Sequence, residues 1–586
     1  MRPLLLTSSA AGGRPWALIL LLVLLPLWNH PYFEELKSPN PLVRTYLTRA
    51  LVDHHTVVLD KVEAEHGWVM DRAVREGHLY CDKAPGSSFL LVPVYAVMKA
   101  LSSSGKVETQ KLLAWGSVLL GVLPTFLALA CLDSLLVLLM VTRAARRVAL
   151  IAWGLGSVGV PFELLFFGHQ LAACLVVFAL WAAVHAARKS SFSWAMLAGF
   201  AGGWAAITEY PTTLLIGMVG LLGAGMAWRD SGGAPRAVVR LLLGMLVGSL
   251  VPLGLGMAYH QAAFGGPLTT GYAFIENPYF RSVHKKGLMG VSLPTLEGLG
   301  GTLFSPARGL FYFQPYLLLW PVGCVLLMRS RRAVEGWVLL LAGLLYISFA
   351  AGFGYWLGGW SLGPRHLVPA VPLFTLGFAV ALHTLETTEK SPWPVLGAAV
   401  RGGVVWSVVV VGLACATHSG YPEELMHPFF QMTLPLLTAG LFPYSVGTLL
   451  GWKGFASAVV PLTALVLSAL WAVFVGRAVT LGRASSLGRS AVTLWTAAAL
   501  VLGMGLLVRA TPEATHRLAW IIDTVWEPRE GPKRPDPVKQ APGFSSRPVR
   551  QDERNHVGRH HARINEPARA LEEYVRGVVA AEAGRP

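Results

Sequence analysis

Charge is scarce in this sequence. Only 14% of its 586 residues are Asp, Glu, Lys or Arg, where a soluble domain carries about 25%. That deficit argues against a water-soluble globular core. Cysteine is also sparse: there are five, with no CxxC pair, so neither a disulfide framework nor a zinc site is indicated. Cys131, Cys174, Cys324 and Cys415 fall in or beside apolar stretches and read as small core residues, while Cys81 stands alone in a polar segment. No repeat of solenoid period is visible. Nor is there a nucleic-acid-binding motif, although the formal net charge is +16.

What is present is apolar sequence. Hydrophobic residues make up 54% of the chain, and the mean hydropathy is +0.53. Apolar stretches near 20 residues recur from Trp16 to Val508, each long enough for a hydrocarbon core of about 30 Å. The reading is an all-α integral membrane protein with about 13 transmembrane helices. They are placed at 15–31, 112–141, 148–166, 170–187, 194–208, 211–228, 237–259, 309–328, 334–354, 364–384, 398–417, 456–477 and 490–509. Arg2 and Arg14 precede the first apolar run, and no small-residue cleavage pattern follows before Asn29, so that run is taken as an uncleaved span. Residues 1–509 form the transmembrane domain, and 510–586 a charged, partly disordered tail whose residues 564–582 suit an amphipathic helix.

Residues 88–103 are apolar but short, with Pro93 and Lys99 inside. If they crossed, the clusters at Arg143, Arg146 and Arg147, at Arg188 and Lys189, at Arg229, Arg236 and Arg240, and at Arg329, Arg331 and Arg332 would all lie outside. Short cationic loops belong in the cytoplasm. The segment is therefore read as interfacial or re-entrant, which makes the N-terminus cytoplasmic. The loops 32–111, 260–308 and 418–455, and the tail, are then extracytoplasmic. The protein belongs to the cell (inner) membrane on this reading.

The first extracytoplasmic loop, 32–111, is too long and polar for a connector. Its 41–53 portion reads as an interfacial helix with Leu42, Tyr46, Leu47, Ala50 and Leu51 on one face. Other polar groups gather at the same side: Glu163, His169, Glu209 and Tyr210 at outer turns, and Arg308 and Arg365 at outer helix starts. Ionisable groups at membrane depth are costly and face a cavity or a partner; the alternative for each is to snorkel alone to the interface. Arg308 and Arg365 are bracketed by Gly and Pro at a helix start, where free N–H groups and a guanidinium fork suit a phosphate. Such sites at an outer leaflet suggest a lipid phosphate or pyrophosphate.

The string GHLYCDKAPGSSFLLVPVYA (77–96) resembles a segment of bacterial GT-C superfamily glycosyltransferases, the family 39-like and protein mannosyltransferase-like membrane proteins. FGHQLAACL (167–175), FGGPLTTGY (264–272), LFSPARGLF (303–311) and GGWSLGPRHLVPAVPLF (358–374) add to it, and the resemblance runs from about residue 15 to 475. It implies a first loop carrying interfacial helices and a sugar donor linked to a polyprenyl phosphate. Transfer is then to an acceptor glycan, lipid or protein at the extracytoplasmic face, with inversion. A carboxylate would act as base on the acceptor hydroxyl, and cations would stabilise the departing lipid phosphate. One departure stands out. Where the resemblance leads one to expect an early acidic residue ahead of an Arg, SPNPLVRTY has Asn40 and Pro41 before Arg44, and FFGHQ puts His169 near a second acidic position.

The candidate base is therefore sought later in the loop, with Asp71 first and Asp60 and Asp82 after it; a helix N-cap is the other role open to Asp71. Lys83, Arg308, Arg365, His169 and Glu209 are the candidate substrate-binding residues, and for Lys83 an ion pair with Asp82 is the alternative. No metal ligands are assigned, and a divalent metal is left open as cofactor. A flippase for lipid-linked glycans and a non-catalytic lipid-binding relative are the rival functions; the first would favour inverted repeats with broken helices, and none is seen. Labelling of single cysteines in a Cys-free background tests the topology. Position 66 is expected to react from the extracytoplasmic side, and reaction from the cytoplasmic side alone would overturn the orientation.

Overall fold

The computed structural model describes residues 15–29, 38–388, 393–443 and 445–474, with 490, 492–500, 505, 517–518 and 521. The protein is a multi-pass helical membrane protein. Seven described helices are long and apolar enough to cross: Thr109–Leu138, Gly168–Lys189, Thr212–Asp230, Pro235–Phe264, Ala333–Gly352, Arg365–Thr387 and Val395–Ala416. Shorter apolar helices, among them Trp16–Trp28, Pro315–Met328 and Phe455–Leu470, pack beside them. Residues 491, 501–504 and 506–509 of the expected span 490–509, and nearly all of the tail, including 564–582, lie outside the described residues.

The expected span 148–166 is not one helix. It divides into Arg143–Gly154 and Val160–Leu164. Gly154, Gly156 and Gly159 crowd the junction just ahead of Pro161, which favours a break. Thr109–Leu138 carries a π-turn at Val118–Val122. There Gly121 meets the backbone of Glu163 so closely that a Cβ would lie 2.2 Å from its carbonyl oxygen.

The helices alternate between two faces. Gly168–Lys189 and Thr212–Asp230 carry basic residues in their last turns, Arg188 with Lys189 and Arg229, and Ala333–Gly352 starts just after Arg332. Arg229 bonds Glu335 at 2.9 Å, so these ends share one face. The opposite ends, at Gly168, Glu209 and Phe264, meet the first loop, and the helix start at Arg365 sits beside them, with the His366 ring 6.0 Å from that of His169.

That loop is an ordered assembly. Pro39–Asp53 forms the expected helix, but it is sandwiched rather than laid on a surface: every residue from Asn40 to Ala50 is buried. The helix Gly86–Leu101 packs on it. At 16 residues it extends about 24 Å, short of the hydrocarbon thickness of about 30 Å. Its polar side chains turn to the loop. Lys99 Nζ lies 2.7 Å from Asp53 Oδ1, and the Tyr95 hydroxyl donates to Asp53 Oδ2 at 2.6 Å. Burial would raise the Asp53 carboxyl, but these two bonds hold it below its ordinary value. Arg49 donates to the Tyr95 hydroxyl and to Val107 O.

The residues after Asp71, which a helix N-cap there would have made helical, form an antiparallel hairpin instead. Arg72–Arg75 pairs with His78–Cys81, and Arg75 faces His78 across a two-residue turn. Glu76 (φ 54°) and Gly77 (φ 83°) both take left-handed backbone, as a tight hairpin turn requires. Asp71 therefore caps no helix. The hairpin also joins the second long loop, within 260–308. Ala73 bridges Ile275, and Arg72 pairs with both Glu63 and Glu276. Arg72 is nearly buried, and stranding two partly buried carboxylates should be costly. Arg72→Ala is expected to destabilise the protein by about 3 kcal/mol, seen as a lower melting temperature in detergent. An unchanged melting temperature would show that these pairs do not hold the loops together.

Candidate functional site

Arg44 lies at the centre of the face that the first loop covers. Its guanidinium is only 2% exposed, so its N–H groups need acceptors. Nε donates to Asn40 Oδ1 at 3.1 Å, Nη1 to Ala84 O at 3.0 Å and Nη2 to Glu209 Oε1 at 2.9 Å. One side chain thus ties the first-loop helix, the DKAPG string and the turn after Phe192–Thr208. His169 Nδ1 lies 3.6 Å from the same Glu209 oxygen. Burial raises the Glu209 carboxyl above its ordinary value, against the pull of Arg44, Arg365 and Lys83.

Glycines permit this approach. Gly168 starts its helix beside the pair: a Cβ there would lie 2.5 Å from Glu209 Oε1 and 3.2 Å from Arg44 Nη2. Gly86, at the end of DKAPG, would place a Cβ 2.5 Å from Thr208 Oγ1 and 2.8 Å from Ile207 O. The string is glycine-ended because its backbone meets another helix end.

Lys83 sits between two acids. Its Nζ is 2.9 Å from Asp82 Oδ2 and 3.1 Å from Asp71 Oδ2. Burial works against the ammonium, yet Asp71 and Asp82 hold the Lys83 pKa above its ordinary value. Asp82 is pushed up by burial, opposed by Lys83 and reinforced by Asp71. Gly271 of the second loop packs on Asp82, and Tyr272 beside it is pushed up to about 12 by burial, then by Glu209. Tyr272 stacks on His284 at 4.3 Å, His284 meets Phe353, and Phe353 meets His366, whose ring lies 6.0 Å from that of His169. These contacts close a ring from the second loop back to Glu209.

Arg365 contributes to this ring from the start of its helix, against Gly358 and Gly359, both with left-handed backbone. Four buried polar atoms here lack a hydrogen-bond partner among the described residues: Arg365 Nε, Asp82 Oδ1, His169 Nε2 and His366 Nε2. Buried polar atoms rarely go unpaired, and so many around one cluster suit a polar ligand.

The structure thus brings Asp71, Asp82, Lys83, His169, Glu209 and Arg365 together. It does not bring Asp60, which starts the helix Asp60–His66 and bonds His78 Nδ1 and Leu79 N. Arg308 has a different setting from the one expected. It is fully buried and donates to Leu357 O, Ala307 O, Gly359 O and Tyr421 O. It holds the glycine-rich loop before Arg365 in place. Sequence reasoning passed over Tyr272, His284 and His366, although Tyr272 ends the FGGPLTTGY string and His366 follows Arg365. Glu163 lies apart, buried against the π-turn. Among the described residues no three His, Cys, Asp or Glu side chains gather as a metal site would need.

The Gly168→Ala variant tests the role of close approach. The added methyl must displace the Arg44–Glu209 pair, so the protein is expected to fold while ligand binding at the cluster falls at least tenfold, since about 1.4 kcal/mol of misplacement suffices. Binding equal to wild type would show that the pair's position is immaterial.

No family model matches the chain, and no curated protein matches it. Among solved structures it is similar to ArnT from Cupriavidus metallidurans, crystallised bound to undecaprenyl phosphate, at 16% identity and TM-score 0.38 over 81% of this chain and 77% of that one. It is also similar to the arabinosyltransferase EmbB from Mycobacterium smegmatis, at 12% identity and TM-score 0.42, over 83% of this chain but only 40% of the EmbB chain.

Proposed function

We propose that the protein is a membrane glycosyltransferase that takes a sugar from a polyprenyl-phosphate donor. It passes the sugar to an acceptor hydroxyl at the extracytoplasmic face of the inner membrane. The observation that carries this reading is the buried cluster in which Arg44, Lys83 and Arg365 meet Asp71, Asp82 and Glu209. The GHLYCDKAPG and GPRHL strings that resemble GT-C enzymes lie within it. The orientation is supported by the basic helix ends, which gather on the face away from the cluster.

In this mechanism Lys83 and Arg365 hold the lipid phosphate, with the unpaired Arg365 Nε one of the donors. As Lys83 turns to the phosphate, Asp71 is released as base. It takes the proton of the acceptor hydroxyl while the hydroxyl oxygen attacks the anomeric carbon. The bond from that carbon to the phosphate oxygen breaks, its electron pair leaves with the lipid phosphate, and the two cations stabilise the charge. Asp82 is shut in, only 4% exposed, against 13% for Asp71, so Asp71 is the better placed to meet an acceptor. Arg44 and Glu209 position the loop. Protonating Glu209 removes Arg44's carboxylate partner, and its carboxyl is raised. Activity is therefore lost as pH falls, beginning above the ordinary glutamate range.

A second reading has an observation of its own. Asn40 occupies the region of the early acid and bonds Arg44, which fits a relative that binds the lipid without transfer. Incubation with a panel of polyprenyl-phosphate sugars, following release of polyprenyl phosphate, separates the two. Release by wild type, cut by about 10²–10⁴-fold in Asp71→Asn, with weaker donor binding in Arg365→Ala, supports the transferase. Full turnover in Asp71→Asn would end that residue's role. Donor binding without release in wild type would leave the non-catalytic reading.

A further inference from the structure

The basic face holds a cavity of about 270 Å³ that the proposed reaction does not use. Its mouth is formed by Arg188, Arg229, Arg331 and Arg332, with Asp230 and Glu335. Four cations against two carboxylates leave an excess of two positive charges. Both acids are taken up by Arg229, which lies 2.9 Å from Asp230 Oδ1 and 2.9 Å from Glu335 Oε2. Arg332 is 3.8 Å from Glu335. The Arg188 and Arg331 side chains have no hydrogen bond or ion pair with any described residue. Burial holds the Arg332 guanidinium below its ordinary value, and Arg229 and Arg188 add to this against Glu335.

Behind the charged mouth the walls are wholly apolar. Leu135, Val184, Met226 and Leu339 line it from four different helices, and Leu376 from a fifth. A small anion alone would satisfy the mouth and leave these walls unused. An amphiphile with an anionic head and a hydrocarbon tail matches both. Trp228 and Trp337 are 52% and 55% exposed on the helices that carry Arg229 and Glu335. Tryptophans at such positions mark the level of lipid headgroups, so the mouth opens at headgroup depth. Basic pockets between spanning helices suit such headgroups.

We propose that this cavity binds the phosphate headgroup of an anionic membrane phospholipid, with Arg188 and Arg331 as its unpaired phosphate contacts. The site is separate from the catalytic cluster and does not rest on the glycosyltransferase reading.

The test uses the full-length protein in nanodiscs of zwitterionic phosphatidylcholine, with and without phosphatidylglycerol. Bound lipid is read by native mass spectrometry and melting temperature by fluorescence. Wild type is expected to retain phosphatidylglycerol and to melt higher with it. In the Arg188→Gln/Arg331→Gln protein, retention should fall about tenfold or more, each arginine near a membrane surface contributing on the order of a fivefold effect. Both residues are exposed, so folding is not at stake. Arg236→Gln/Arg240→Gln removes equal charge from exposed positions outside the cavity, and retention should stay at wild type. Equal loss in both double variants would reduce the effect to surface charge and overturn the site. So would no selective retention in wild type. Inorganic phosphate, added to phosphatidylcholine nanodiscs, should not reproduce the melting shift; if it does, the ligand is a free anion and the lipid assignment fails.

Discussion

A guanidinium cannot shed its charge, so burying Arg44 commits the surrounding chain to meeting its donors. Desolvating such an ion costs several kcal/mol unless the geometry returns it. Here the return comes from Asn40 one helical turn away, the Ala84 carbonyl and the Glu209 carboxylate. The three acceptors come from the first-loop helix, the DKAPG string and the turn between Phe192–Thr208 and Thr212–Asp230. Because the hydrogen bonds are directional, each segment's position fixes those of the other two. Gly168 and Gly86 are the steric counterpart, leaving room where a side chain would collide with the paired groups.

From this contact the rest of the face under the first loop follows. With DKAPG fixed, Lys83 stands between Asp71 and Asp82, and the hairpin that carries Asp71 extends outward to pair with the second loop at Ile275 and Glu276. Arg308 does comparable work on the other side, spending its donors on backbone carbonyls around the glycines before Arg365. The two arginines illustrate how one residue type takes two roles. Arg308 has carbonyls for all its directions and is a brace. Arg365 keeps a buried Nε without a partner among the described residues and can serve a ligand.

The membrane imposes the division between faces. Apolar helix surfaces are at home in hydrocarbon, so ionic groups are driven to the ends of the bundle or into pairs such as Arg146–Asp133, both 1% exposed. One end gathers a charge-balanced cluster under an ordered cover of loops. The opposite end gathers unbalanced arginines around an apolar cavity.

Hydropathy and loop charge determined the helical membrane class, most helix positions and the long first loop, because transfer of apolar side chains into lipid is a local, additive property of the sequence. The shortness of 88–103 was legible too, and the tie from Lys99 to Asp53 supplies its reason. Glycine-bounded strings such as DKAPG and GPRHL pointed to the site, since close backbone approach leaves its mark in residue choice. The hairpin at 72–81 was not legible: its turn is Glu76–Gly77, and glutamate is an uncommon residue for left-handed backbone, so the turn resembled helix. Nor could the sequence separate Arg308 from Arg365, or Asp60 from Asp71. Each pair shares a chemistry and a local setting, and what distinguishes them is which acceptors or cations other segments bring within 3–4 Å. That proximity is set by packing between residues far apart in the chain, and only the tertiary structure decides it.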